Sequence, residues 1–418
     1  MGMLRVCLDA RLAIGSGGVE QTIIGLASGL SKLDDGEEEY LFLTYSDSND
    51  WLKPYVGGRC RILPGPDAPA RKQTLKARLG AALPRLRSFY HKLKPVVDEA
   101  VRLERSDATI EKARVDVMHF TLQTAFLTDV PSIYQPHDLQ HLHLPQFFSA
   151  RERTCREVYY RAFCEQARIV VVMSSWGKTD LIRHYGLPAD KIHVIPWGPV
   201  LSAYPIPVEE DLCATRQKFN LKESFVLYPA RTWPHKNHLG LLDGLAILRD
   251  EYHLRVPVVC TGTTDDFFPV VRKRMLDLHM QDQVRFLGFV SPLELQCLYR
   301  LSRGLVFPSR FEGWGMPVAE AFWIGTPAAC SRIPPLADFA GNSAILFDPE
   351  QPREIADGLR RLSVDEGLRS VLVERGRERV KDVTWVAVAR AFRARYRQLA
   401  GRSLSDEDRA AIAAPPLC

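Results

Sequence analysis

The sequence lacks any apolar run approaching the ~18 residues that a membrane-crossing helix requires. No leader is expected either. The chain opens directly into Leu4-Arg5-Val6-Cys7-Leu8, which reads as a strand and is too short and polar for a signal peptide. No Cys-x-x-Cys pair occurs, and the nine cysteines are scattered from Cys7 to Cys418 with no histidine at zinc-ligand spacing. A zinc-ribbon or disulfide scaffold is thereby excluded, and reduced thiols are expected. A strong charge of one sign is missing too: 55 Lys and Arg against 50 Asp and Glu leave +5, which gives no argument for a nucleic-acid partner. The nicotinamide fingerprint Gly-x-Gly-x-x-Gly fails after the first strand, because Glu20 stands where the third glycine belongs. These absences predict a cytoplasmic protein. With 418 residues, 46% hydrophobic and 25% charged, the chain is long enough for two or three ordinary globular domains.

The richest stretch is residues 305 to 327. Leu305-Val306-Phe307 reads as a buried strand, a glycine-bearing loop follows, and Pro317 is expected at the first position of a helix that Gly325 ends. Free amides and the positive end of the helix dipole then face the loop, an arrangement suited to an anion. Two carboxylates stand there with seven residues between them, Glu312 in the loop and Glu320, expected in the first helical turn. A carboxylate repels phosphate, so both read as acceptors for sugar hydroxyls. Gly313 and Gly315 allow close backbone approach, and Trp314 and Met316 complete the loop. Solvated glutamates are the alternative, disfavoured by the glycines and the proline around them.

Other stretches supply what that loop needs. After the strand Phe225–Tyr228, Arg231 and Lys236 bracket a turn into a helix, placing two cations beside a helix N-terminus, where a diphosphate is the natural ligand. Gly262 ends the strand 256–260, and the strand from Val284 carries Phe289 and Val290 toward a nucleotide base. Asp265-Asp266 reads as a polar loop. Gly17-Gly18 opens the helix after the first strand and is a second candidate phosphate contact. In the first half, His137-Asp138 follows Ile133-Tyr134, with His141 and His143 close behind. No helix is established there to bring the histidines to one face, so no metal site is assigned.

Glu312-x7-Glu320 within Pro-Ser-Arg-Phe-Glu-Gly-Trp-Gly-Met-Pro-Val-Ala-Glu-Ala resembles the donor motif of the retaining glycosyltransferases of family 4. The Arg231/Lys236 turn resembles that family's second signature, which holds the donor diphosphate, and His137-Asp138 resembles its active-site histidine. The resemblance implies the GT-B fold: α/β, two Rossmann-like doubly wound domains facing a cleft, with a C-terminal helix crossing back to the first. The domains are expected at 1–200 and 201–383, with the crossover helix and tail at 384–418 and an apolar stripe of Trp385, Val388, Ala389, Phe392 and Tyr396. The implied chemistry uses no cofactor or metal. A nucleotide-diphosphate sugar, GDP-mannose as the lead donor, gives its hexose to a glycan or lipid-linked acceptor with retention, in polysaccharide biosynthesis.

Within that scheme Arg231 and Lys236 stabilise the leaving diphosphate, Glu312 takes the sugar and Glu320 the ribose. His137 orients the reacting groups, and Asp138, His141 and His143 either shape the acceptor pocket or pack. A sugar-nucleotide epimerase and a non-catalytic nucleotide-sugar binder are the competing classes. Residues 66–114 break the α/β rhythm with a basic helical insert. Its segment 71–94 reads either as a contact with an anionic membrane surface, peripheral at the inner face, or as a helix covering the sheet with solvated cations.

Overall fold

The computed structural model describes residues 2–12, 17–68 and 101–414. The basic segment 71–94, and with it the membrane-surface reading, lies outside the described residues. Among the described residues, thirteen strands form two all-parallel sheets. The first has the order β3-β2-β1-β4-β5-β6-β7, from Cys60–Pro64, Glu38–Thr44, Leu4–Asp9, Val117–Phe120, Ser132–Tyr134, Ile169–Val172 and Ile192–Val194. The second has the order β10-β9-β8-β11-β12-β13, from Val284–Phe286, Val258–Thr261, Val226–Pro229, Gly304–Phe307, Ala328–Ser331 and Ala344–Phe347. Strands such as Ile169-Val-Val-Val172 are apolar on both faces and fully buried, as parallel strands covered by helices on either side must be.

Both sheets are doubly wound, and in each the strand order reverses at one place, between β1 and β4 in the first and between β8 and β11 in the second. Loops leaving the carboxyl ends of strands diverge at such a point and open a crevice where ligands bind. The loops concerned carry Gly17, Arg231, Lys236 and Glu312, while His137 lies on the loop that leaves β5, the strand beside β4. Apart from His137, these candidate residues therefore stand at the two crevices that topology alone would select.

The two halves share one apolar cluster, which runs from Leu8 and Ile23 through Trp385 to Val226 and Phe307. Its bridge is the helix Trp385–Leu399, which returns to pack on α1, Gly18–Ser31. All five residues of the expected stripe are buried. Gly25 and Gly29 of α1 make the approach possible: the Trp385 indole fills the space a side chain at 25 would occupy, and the Trp385 carbonyl fills that at 29. Polar ties secure the crossing. Tyr396 Oη lies 2.7 Å from His119 Nδ1, Trp385 Nε1–H donates to the Pro199 carbonyl at 3.1 Å, and Arg397 binds Glu38 at 2.6 Å. No helix among the described residues is long and apolar enough to cross a membrane.

Candidate active site

The donor loop begins where β11 ends. Its helix starts at Met316, one residue earlier than expected, so Pro317 occupies the second helical position, where its missing N–H still costs no intrahelical bond. Glu320 consequently lies in the second turn, not the first, and is buried, 7% exposed. The Tyr299 hydroxyl donates to it at 3.1 Å. Burial pushes its carboxyl up to about 8, against the smaller opposing effect of that hydrogen bond. A solvated helix glutamate is thus ruled out.

Trp314 does not face the cleft. Its indole is buried against Phe339, ring centroids 4.7 Å apart, so only its backbone is available to a ligand. Gly315 precedes the helix at φ +105°, and the Leu336 side chain occupies the space where a Cβ would project. Glycine is needed there both for the backbone angle and for the packing.

Across the second sheet's crevice, Lys236 Nζ lies 2.6 Å from Glu312 Oε1, both side chains largely buried. The Tyr228 hydroxyl donates to the Lys236 carbonyl and pins the turn. Asn237 caps the following helix, His238–Tyr252, by accepting from Gly240 N–H at 3.2 Å. Arg231 stacks over Trp233 at 4.7 Å and makes a two-pronged pair with Asp265, at 2.7 and 3.2 Å. Asp265 is therefore part of the cation site and not the plain polar loop residue that its sequence suggested. Gly262 allows the assembly: at φ +111° it lies against the Ala230–Arg231 peptide, with no room for a Cβ, while its N–H donates to the Gly288 carbonyl at 2.8 Å. Three strand ends are thereby tied together. Beyond them Phe289 is 74% exposed, while Val290 is buried.

The first domain meets this loop directly. A Cβ on Gly313 would lie 3.0 Å from the His137 carbonyl and 3.4 Å from Asp138 Cβ. Ser174 Oγ–H donates to the Gly313 carbonyl at 3.1 Å. On the other flank, a Cβ on Gly17 would lie 3.9 Å from an Arg231 guanidinium nitrogen, so the first glycine loop faces the cation pair; Gly18 begins α1. His137 itself takes a left-handed backbone, φ 69°, and is buried against Trp197. Its Nε2 is 2.8 Å from the Thr121 carbonyl, which can only accept, so Nε2 carries the proton and Nδ1 keeps its lone pair. Burial holds its pKa below the ordinary imidazole value, which favours the neutral ring.

The neighbouring polar residues divide. Asp138 Oδ1 accepts from Gln140 N–H at 3.0 Å and shapes the local turn. His141 is buried on Tyr160 and bonded to Glu157 at 2.7 Å, so of its two expected roles packing is the one observed. His143 stays at the cleft, its ring 5.2 Å from that of Phe311 in the donor loop.

Residues 16–199 match the family model described as Glycosyltransferase Family 4, and residues 214–379 match that described as Glycosyl transferases group 1. The chain is 26% identical over 268 residues to the O-antigen chain mannosyltransferase B of Escherichia coli, covering 61% of this chain and 70% of that protein. It is 26% identical over 230 residues to the O-antigen chain mannosyltransferase RfbU of Salmonella typhimurium, covering 54% of this chain and 59% of that one, less than two thirds of its length. Among solved structures, Anabaena HepE in complex with UDP and glucose superposes with a TM-score of 0.67 at 17% identity, over 93% of this chain and 98% of that one. Sucrose-phosphate synthase from Thermosynechococcus elongatus gives 0.69 at 20% identity, over 96% of this chain and 100% of that one. At those identities the structures show the shared fold.

Proposed function

Because the chain belongs to family 4 of the glycosyltransferases and has their GT-B fold, we propose that it moves a hexose from a nucleotide-diphosphate sugar to a glycan or lipid-linked saccharide, with retention at the anomeric carbon. The observation that carries this reading is the convergence at one cleft of Arg231, Lys236, Glu312 and the His137–Gly313 contact. Two cations fixed before the substrate arrives suit a leaving group that gains negative charge as the glycosidic bond breaks. Without a diphosphate, Asp265 and Glu312 neutralise them.

In the reaction the bond between the anomeric carbon and the phosphate oxygen breaks, the acceptor oxygen bonds to that carbon, and the departing phosphate takes the acceptor's proton. Arg231, Lys236 and the amides of residues 313–316 hold the diphosphate. Glu312, engaging Lys236 through one oxygen, presents the other to the sugar hydroxyls. His137 accepts a hydrogen bond from a sugar hydroxyl at Nδ1 and orients the sugar, without taking the proton. Glu320 binds the ribose, and exposed Phe289 offers a face to the base. No step calls on a metal or cofactor.

Mannose from GDP-mannose is the lead donor, supported by the names of the two bacterial relatives, which also suggest a role in O-antigen polysaccharide assembly. The UDP and glucose in the Anabaena protein make a UDP-sugar the comparison to test beside it. A mass-spectrometric screen of nucleotide sugars, each with and without a lipid-linked saccharide, tests the reading. Loss of donor only when acceptor is present, with a product heavier by one hexose, is expected. Turnover of donor alone to an isomer indicates an epimerase, and binding without turnover indicates a non-catalytic protein; either result overturns the proposal.

A further inference from the structure

His143, Asp180 and His184 form a cluster that the transfer chemistry does not use. Asp180 and His184 lie one turn apart on the helix Ser175–Tyr185, hence on the same face, and His143 comes from the one-turn helix Gln140–His143. His143 Nε2 is 2.9 Å from both Asp180 oxygens, and His184 Nε2 is 3.4 Å from Asp180 Oδ1. One ligand atom from each residue lies within 4.8 Å of the other two. The imidazole rings stand 82° apart, so they meet edge to face and do not stack. Asp180 is almost wholly buried, while the two histidines are about one third exposed and leave a water-accessible side.

We propose that these three residues bind a divalent transition ion of the imidazole-preferring class, Zn²⁺ foremost. Two neutral imidazoles and one carboxylate form a donor set suited to zinc, nickel or copper and poorly suited to magnesium or calcium. Tetrahedral bonds of 2.0–2.1 Å separate neighbouring ligand atoms by roughly 3.3 Å. The two separations from Asp180, 2.9 and 3.4 Å, are within tenths of an ångström of that spacing, and the two imidazole nitrogens, within 4.8 Å of each other, close on the ion by side-chain rotation. On binding, Nε2 of each ring turns its lone pair to the ion while the neutral ring carries its proton on Nδ1, and water from the open side fills the fourth position.

The ion joins two pieces of chain with different duties. The Gln140–His143 turn follows directly on His137 and Asp138, and the His143 ring lies against Trp176, at 5.3 Å, and against Phe311, at 5.2 Å. Phe311 immediately precedes Glu312 in the donor loop. A bound ion therefore fixes the platform on which that loop rests, without touching the reacting atoms. This inference does not depend on the transfer reading.

The test is binding of the metal alone to the full-length chain stripped by chelator. Zn²⁺ and Ni²⁺ are titrated in competition with a chromophoric chelator, and the Co²⁺ form is examined by visible absorption. His184→Gln and Asp180→Asn are compared with the parent, and thermal unfolding without metal shows that each variant is folded. One equivalent is expected in the parent, with affinity falling at least tenfold in each variant and a Co²⁺ spectrum free of thiolate charge-transfer bands. Equal affinity in parent and variants, a thiolate spectrum, or no binding of either ion to the parent overturns the proposal. The thiolate arm matters because the eight described cysteines are all unpaired.

Discussion

Glu320 accepts a hydrogen bond from Tyr299 in a setting almost without water, and burial raises its pKa to about 8 from an unfolded value near 4.5. A raised carboxyl pKa means that the folded state holds the proton more tightly than the unfolded state. Its effect on stability is therefore constant below about pH 4.5, turns unfavourable as pH climbs toward 8, and levels off above. A tenfold difference in proton affinity between the two states corresponds to about 1.4 kcal/mol, so the decline amounts to several kcal/mol at most. Glu320→Gln removes it: parent and variant should unfold at similar temperatures near pH 5, and the variant should be the more stable at pH 9. Parallel stability profiles across that range would contradict the buried, proton-holding carboxyl. The sequence marked Glu320 and Glu312 as a pair because both flank a glycine loop. It could not show their different surroundings, since burial depends on Tyr299, which stands 21 residues before Glu320. Asp265 escaped for the same reason, 34 residues from the arginine it binds, and Trp314 turned inward because Phe339 waits beneath it.

At the scale of elements, the crossing of the returning helix on α1 rests on two glycines. Gly29 lies inside α1, where alanine would by helix propensity alone gain about 0.5–1 kcal/mol. A methyl there meets the Trp385 carbonyl, which is backbone and cannot swing aside. Overpacking of this kind costs about 1–3 kcal/mol, so the clash wins. Gly29→Ala is expected to lower the unfolding midpoint in a thermal melt, and a raised midpoint would show that the helices are free to separate. The returning helix was legible from its apolar stripe, and so were strands such as Ile169–Val172, made of β-branched residues. Ala328-Ala-Cys-Ser331 was not. It has no β-branched or aromatic residue and becomes a strand because β11 and β13 flank it.

For the whole molecule, the decisive fact is that both sheets reverse strand order beside the same cleft. Each candidate residue was found from local signals, a loop following an apolar strand. Their convergence was not readable, because it depends on how one sheet faces the other; the contacts of Gly313 with His137 and of Gly17 with Arg231 record it. The transfer reading assigns Lys236 to the leaving diphosphate, and removing one fixed charge partner of a transition state typically lowers turnover by about 10²–10³. The most direct measurement is kcat/KM for sugar transfer by Lys236→Ala, with the donor identified by the nucleotide-sugar screen and folding checked by thermal melt. A fall of at least roughly a hundredfold, with the unfolding midpoint little changed, is predicted. Transfer at near-parental kcat/KM by a folded variant would contradict the assignment of this cleft as the transferase site.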